Sequence, residues 1–386
     1  MNYKKFIIFM FMVILFHLSL SSNYFCESIS KESIQILLEK AFLNINNNNY
    51  EEAIMICNDI IEKDPYNSYA YSYRCRALAQ TNSVDKAIED CGKAISIDPD
   101  NYYAYYALGY IYGKHNIAEM SINYYNISIE KNPVWAPSYN NLGVIYFSQD
   151  EADMALLNFN KAIEIDEHFF IAYLNRALVY INKEEYANAL KDINYVIHAK
   201  PDNADGYYYR AYYYYIINDY QKALNDYTKI LMFNEKNITA YLARARLFSE
   251  LQKYDNAILD CDNVIKIDSN NFDAYFERGW NYYKKGEYQK AINDYSNALK
   301  IKPESDIIYQ NRANMYIMLG DYKSAIIDYK NSVKTNPQNW DSRRMIMITY
   351  LLKYIYLIYA MIMFIIGLIL FERRYRIFRM ILKKTR

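Results

Sequence analysis

The stretch Tyr139-Asn-Asn-Leu-Gly-Val-Ile-Tyr146 decides the fold, because its landmarks return at a fixed interval. Tyr139 has counterparts at steps of 34 residues: Tyr71, Tyr105, Tyr173, Tyr207, Tyr241, Tyr275 and Tyr309. Gly143 belongs to a column of small residues made by Ala41, Cys75, Gly109, Ala177, Ala211, Ala245, Gly279 and Ala313. The same step taken from Pro65 meets Pro99, Pro133, Glu167, Pro201, Glu235, Ser269, Pro303 and Pro337, with no insertion or deletion. With that residue numbered as position 32, nine units run from Ile34 to Asn339. A period of this length marks an architecture of stacked supersecondary units.

Each column has a physical reason. Position 20 is Ala in eight units and Ser121 in the third. Small side chains at positions 8 and 20 let two antiparallel helices approach, and large ones at 4 and 11 fill the space beside them. Position 15 is Asn or Gly in six units (Asn48, Asn82, Asn116, Asn218, Gly286, Gly320), residues that tolerate the left-handed conformation ending a helix. Proline at position 32 stops the second helix. Position 7 is Arg in six units and position 23 is Asp in the same six: Arg74 with Asp90, Arg176 with Asp192, Arg210 with Asp226, Arg244 with Asp260, Arg278 with Asp294, and Arg312 with Asp328. The other three units have neither residue, so these are expected to be structural ion pairs between packed helices.

Together with Glu287-Tyr-Gln-Lys-Ala-Ile292, these columns resemble the tetratricopeptide repeat over about four-fifths of the chain. Tyr stands at position 4 where that family often has Trp, and the first unit, with Leu37 there, is degenerate. The resemblance implies an all-α fold, a right-handed α-solenoid of antiparallel helix pairs whose first helices line a concave groove. It also implies protein or peptide partners. Chaperone-tail binders of the family hold a terminal carboxylate with a Lys and Asn clamp, a set that no three consecutive units supply here.

The ends differ from the middle. Residues 1–22 have a basic start (Lys4, Lys5), an apolar run from Phe6 to Leu20 and small residues after it, the layout of a secretory signal peptide. An uncleaved signal anchor is the alternative reading. Residues 23–33 form a short linker. Residues 340–353 are expected to cap the stack, and Tyr354–Phe371 carry no charge and can form one transmembrane helix. The tail 372–386 is basic through Arg373, Arg374, Arg376, Arg379, Lys383, Lys384 and Arg386. The positive-inside rule then sets the tail in the cytoplasm and the repeats across the membrane. If the cell is eukaryotic, Lys383-Lys384-Thr385-Arg386 looks like a dilysine retrieval signal, and Asn126 and Asn237 are glycosylation acceptors.

Formal charge balances at 44 basic against 44 acidic groups, which argues against a nucleic-acid partner. No catalytic constellation, phosphate loop or metal motif is present, so no enzyme activity, cofactor, metal or small-molecule substrate is expected. Cys57, Cys75, Cys91 and Cys261 fall in core columns and read as buried thiols, although a bridge among the first three is conceivable on the oxidising side of a membrane. Function is expected on the groove-facing positions 2, 5, 9 and 12 of the first helices. Two aromatic patches stand out there: Tyr103, Tyr106 and Tyr110, then Tyr208, Tyr212, Tyr215, Phe276, Trp280 and Tyr283. Such residues give large, fairly rigid contact area with a polar handle. The expected role is a membrane-anchored scaffold that binds protein or peptide in this groove and touches lipid through its C-terminal helix. The alternative is a structural subunit of a larger envelope or secretory complex.

Overall fold

A computed structural model describes residues 33–81 and 83–384, with side chains as far as Arg374. The leader 1–22, most of the linker, Asn82 and most of the basic tail's side chains lie outside the described residues. Those described form helices joined by short turns, with no strand among them. The helices are α1 (33–46), α2 (Tyr50–Lys63), α3 (Ser68–Leu78), α4 (Val84–Ile97), α5 (Tyr102–Lys114), α6 (Ala118–Lys131), α7 (Ala136–Ser148), α8 (Ala152–Ile165), α9 (Phe170–Asn182) and α10 (Tyr186–Ala199) in one compact unit. A second unit from Lys200 holds α11 (Ala204–Ile216), α12 (Tyr220–Phe233), α13 (Ile238–Glu250), α14 (Tyr254–Ile267), α15 (Phe272–Lys284), α16 (Tyr288–Ile301), α17 (Asp306–Met318), α18 (Tyr322–Thr335) and α19 (Trp340–Lys384). Each 34-residue period supplies one helix pair.

The turn inside each pair is left-handed at position 15 throughout the described residues. Asn48, Asn116, Asn218, Gly286 and Gly320 have φ between 59° and 78°, and so do Asp150 at 62°, Glu184 at 59° and Gln252 at 58°. Glu184 and Gln252 lack a side chain that favours this conformation and still take it, so the packing of the pair dictates the turn. The link between pairs has its own device. Asn at position 34 accepts a hydrogen bond from a backbone N–H in the first turn of the next helix, as Asn67 does from Ala70, Asn237 from Ala240 and Asn271 from Ala274. The tyrosine of position 4 then reaches back to hold the proline turn: Tyr105 Oη donates to the Pro99 carbonyl and Tyr207 Oη to that of Pro201.

Positions 8 and 24 meet inside the pair, and their volumes are matched. Gly109 lies under the ring of Tyr125, Gly143 under Phe159 and Gly279 under Tyr295; a Cβ at any of them would sit 2.8–2.9 Å from the ring. Where both positions are cysteine the outcome is covalent. Cys75 and Cys91 form a disulfide with Cα atoms 5.5 Å apart, so of the two readings left open for the first three cysteines the bridge holds at these two sites, in place of buried thiols. Cys57 and Cys261 face Ala41 and Ala245 in the same columns and remain free and buried. Burial pushes the Cys57 thiol up to about 12.

All six position-7 arginines engage the position-23 aspartate of their own pair with two parallel bonds. In the seventh unit Arg244 Nε and Nη2 donate to Asp260 Oδ2 and Oδ1 at 2.8 and 2.7 Å. Arg74, Arg176, Arg244, Arg278 and Arg312 also donate Nη1 to the preceding unit, to Asn58, Asn160, Thr228, Asp262 and Ser296. Each of these arginines therefore ties three helices from two units. The position-4 ring stacks against the same guanidinium, 5.3 Å away for Tyr173 and Arg176 and 5.9 Å for Tyr309 and Arg312. Burial raises the carboxyls of Asp260 and Asp294 above the ordinary range despite their partners, so desolvation outweighs attraction there. The pair chiefly sets register, and removing one member leaves a buried charge.

Arg244→Ala should cost about 3–5 kcal/mol, because Asp260 is left buried without its fork. Thermal unfolding of the full chain in detergent, followed by circular dichroism, reads this directly. At the turns, Gly286→Ala should destabilise by roughly 1–2 kcal/mol, and Gln252→Gly should stabilise the seventh pair by a smaller amount. Equal Tm values for the Gly286 and Gln252 variants would contradict the left-handed assignment.

Candidate functional site

The nine aromatic residues expected in the groove take four different roles. On α11, Tyr208, Tyr212 and Tyr215 stand at intervals of four and three residues, so one face of the helix carries all three. They are 36–40% exposed, well above the burial of scaffold tyrosines such as Tyr295 at 1%. Trp280 on α15 faces them across a cleft of about 480 Å³. Arg246 on α13 and Glu277 on α15 cross its floor as an ion pair of 2.6 Å. Trp280 is also a wall of a second cleft with Tyr283, Tyr295, Met315, Met318 and Met345. The Lys284 ammonium lies 4.6 Å over its indole. Methionine and tyrosine side by side give a surface that can adapt to varied apolar shapes.

The compact unit that ends at Ala199 holds a separate cleft of about 530 Å³. Tyr103 and Tyr106 line it, together with Phe42, Trp135 and Phe169. Tyr103 is 3% exposed and wedged edge-on against Tyr73 with ring centroids 4.8 Å apart, so it is a floor residue with little free surface. Trp135 meets Tyr106 edge-on at 6.2 Å, and its indole N–H is buried without a partner. Tyr106 Oη accepts from Asn141, which also reaches Tyr125. Burial pushes the Tyr103, Tyr106 and Tyr125 phenols above the ordinary range.

Two further expected groove residues are engaged by neighbouring side chains. Tyr110 lies flat beneath the Arg76 guanidinium, 3.7 Å away, and its hydroxyl accepts from Gln80 at 2.6 Å. Phe276 stacks on Phe272 with an interplanar angle of 2° and packs into the core of the eighth unit. Trp135 and Phe169, by contrast, were not among the expected residues. They occupy position 34, where most other units have the capping Asn, and neither caps its helix. That break in the column is the signal that could have revealed them.

Family models match along most of the repeat region. Tetratricopeptide repeat models match residues 76–116, 136–169, 174–231, 238–271, 281–320 and 307–339. The chain carries tetratricopeptide repeats. Residues 50–81 match the protein prenyltransferase alpha subunit repeat instead, which fits the departure of the first unit from the common pattern. No curated protein matches the chain. Among solved structures, a chain of the APC/C hetero-tetramer Cut9–Hcn1 is similar in fold, with a TM-score of 0.54 and 18% identity over 72% of this chain. The match spans 55% of that chain. A tetratricopeptide repeat protein of Parabacteroides merdae gives a TM-score of 0.47 at 21% identity, covering 64% of this chain and 98% of the other. PilF of Pseudomonas aeruginosa gives 0.45 at 15%, covering 58% and 98%.

The buried phenols make the stack sensitive to alkali. Burial holds Tyr329 at about 12, against an ordinary phenol near 10. A folded value above the unfolded one means that its contribution is intact below about pH 10 and is lost as pH rises toward 12. Phenolate absorbance should therefore rise in two phases, with the later phase coincident with loss of helical circular dichroism. A single smooth phase near the ordinary value would refute the burial of these rings.

Proposed function

We propose that this chain is a membrane-anchored scaffold that binds a protein or peptide partner through the aromatic face of its first helices. The observation that carries this reading is the exposed row of Tyr208, Tyr212 and Tyr215 opposite Trp280. Large rings left in water cost solvation, and repeats of this kind generally mediate protein–protein contacts. Tyr and Trp are also the residues that dominate binding energy when a partner desolvates them. Binding, not catalysis, is the activity proposed, and it calls for no cofactor and no metal.

Anchoring is proposed through α19. Trp340–Arg374 is, among the described residues, the one helix segment long and apolar enough to cross a bilayer, and its most apolar window is nowhere buried in the fold. Placement of the repeats outside the cytoplasm rests on the charge distribution at the two ends of the chain. The Cys75–Cys91 disulfide supports it, because such bonds persist in oxidising compartments.

The triple substitution of Tyr212, Tyr215 and Trp280 by Ala should abolish partner capture by crosslinking in native membranes while helical content is unchanged. An unaltered set of crosslinked partners would remove the groove from the account and favour the reading as a structural subunit. In sealed vesicles the repeats should be protected from added protease until detergent is supplied.

A further inference from the structure

The C-terminal helix begins as the first helix of a tenth repeat. Asn339 caps it by accepting from the Ser342 N–H at 3.0 Å, in the position-34 role it has in other units. Ser342 at position 3 bonds Ser332 across a buried seam at 2.8 Å, repeating the contact of Ser138 with Ser128. Among the described residues no second helix of that repeat packs against it. Position 8, small in all nine units, is here Met347, and it is 75% exposed because nothing packs on it. The helix then continues without a break through Tyr354–Phe371. Cap and span are thus one rod, and the ninth unit is fixed to it.

Contacts along the seam place the ninth unit along this rod. Helix α18 runs antiparallel to α19: Ser332 meets Ser342, Lys330 Nζ donates to Tyr350 Oη at 3.4 Å, and the Tyr322 ring lies 6.3 Å from that of Tyr356. Tyr356 is already two residues inside the uncharged run, about 3 Å along the helix axis. The tip of the ninth pair therefore reaches the level where the apolar segment starts. That tip carries Met318 at 54% and Leu319 at 49% exposure, and α19 shows Leu351 at 61%, about 7.5 Å before the level of Tyr356 along the helix. Asp321 and Lys323 share the tip. The Asp321 carboxylate is occupied in capping α18, and Lys323 is exposed with a side chain long enough to reach outward.

We infer that the Leu319 tip of the ninth repeat and the Leu351 face of α19 lie in the headgroup layer of the bilayer as a second, peripheral lipid contact. This rests on the reading of α19 as a membrane span. The occupant is lipid and not a protein partner, because the apolar side chains sit at the depth where the same rod enters the hydrocarbon. Apolar side chains interspersed with one acid and one long base suit the interface and not the bilayer centre. The contact holds the end of the groove against the membrane, so the Met318 and Met345 cleft opens beside the lipid surface.

The test uses the full chain reconstituted in phosphatidylcholine vesicles. Leu319→Cys, Leu351→Cys, Phe364→Cys and Gln338→Cys are each labelled with an environment-sensitive fluorophore, with the chain lacking an added cysteine as the blank. Lipids carrying a nitroxide near the headgroup or deep in the tail serve as quenchers. Gln338 lies beyond the far end of α18, about 20 Å from the tip along the helix. The expected result is loss of most emission at Leu319 and Leu351 with the shallow quencher, loss at Phe364 with the deep one, and none at Gln338. Quenching at Phe364 with full emission at Leu319 and Leu351 would overturn the peripheral contact and leave the span standing. Full emission at Phe364 would overturn the span and this inference with it.

Discussion

The bidentate bond between the arginine of position 7 and the aspartate of position 23 is the constraint on which the rest of the stack depends. A fork of two parallel N–H groups fits a carboxylate in only one orientation, so it fixes both the distance and the rotation of one helix against the other. The third donor reaches the preceding pair, which converts an internal register into a register between neighbours. Where the fork is absent, another device takes over. The third and fourth units have Leu108 and Leu142 at position 7, both buried, beside a glycine that admits the aromatic ring of position 24. Close aromatic packing joins the two helices there by shape, and the eighth unit combines the same packing of Gly279 and Tyr295 with the Arg278–Asp294 fork. That a purely apolar solution exists in the same array agrees with the raised carboxyls of Asp260 and Asp294: the ion pair specifies geometry more than it adds net stability.

Much of this fold was legible because a period exposes its own contacts. Arg and Asp appearing in the same six units, sixteen residues apart, amount to a contact read from covariation inside one chain. The same separation joins positions 8 and 24, and it joins Cys75 to Cys91. The disulfide was therefore readable in principle. The pairing was left open among three cysteines because only one unit has cysteine in both columns, so no recurrence marks it, and the antiparallel pairing of columns had to be known first. The left-handed turns show the opposite limit. Among the described residues Asn and Gly announce five of them and Asp150 tolerates the conformation, but Glu184 and Gln252 adopt the same backbone against their own preference, because the rigid pair around them leaves no other path.

The aromatic surface was harder to read, for a reason rooted in helix geometry. Positions that face the groove in an isolated helix pair are covered to different depths once the next pair packs beside it. Tyr103 falls where Phe42, Tyr73 and Trp135 converge, whereas Tyr212, nine positions into its own unit, meets no such neighbours. Trp135 and Phe169 came from outside the first-helix positions altogether. They give up a cap worth about 1 kcal/mol to place a ring in the cleft. A locally unfavourable residue in an otherwise regular column is a better pointer to a site than an abundance of tyrosine, which this chain has nearly everywhere.

A repeat stack must end, and how it ends governs what it can do. A soluble array closes with a helix whose outer face is polar, because the last apolar face has no neighbour. Here the last helix keeps the inner contacts of a repeat, Ser342 and Thr349 fully buried, and leaves Met347 and Leu351 exposed. Such an end is unfavourable in water and becomes stable only if another apolar phase covers it. With α19 as a span, that phase is supplied by the continuation of the same helix into lipid. The stack then needs no separate cap, and because no flexible linker intervenes between Ser342 and the apolar run, orientation of the last repeats follows from the tilt of one helix. A partner held by Trp280 and the methionines beside it would be presented at a fixed height above the membrane. The continuous helix sets that geometry, where a tethered domain on a loose linker would sample many.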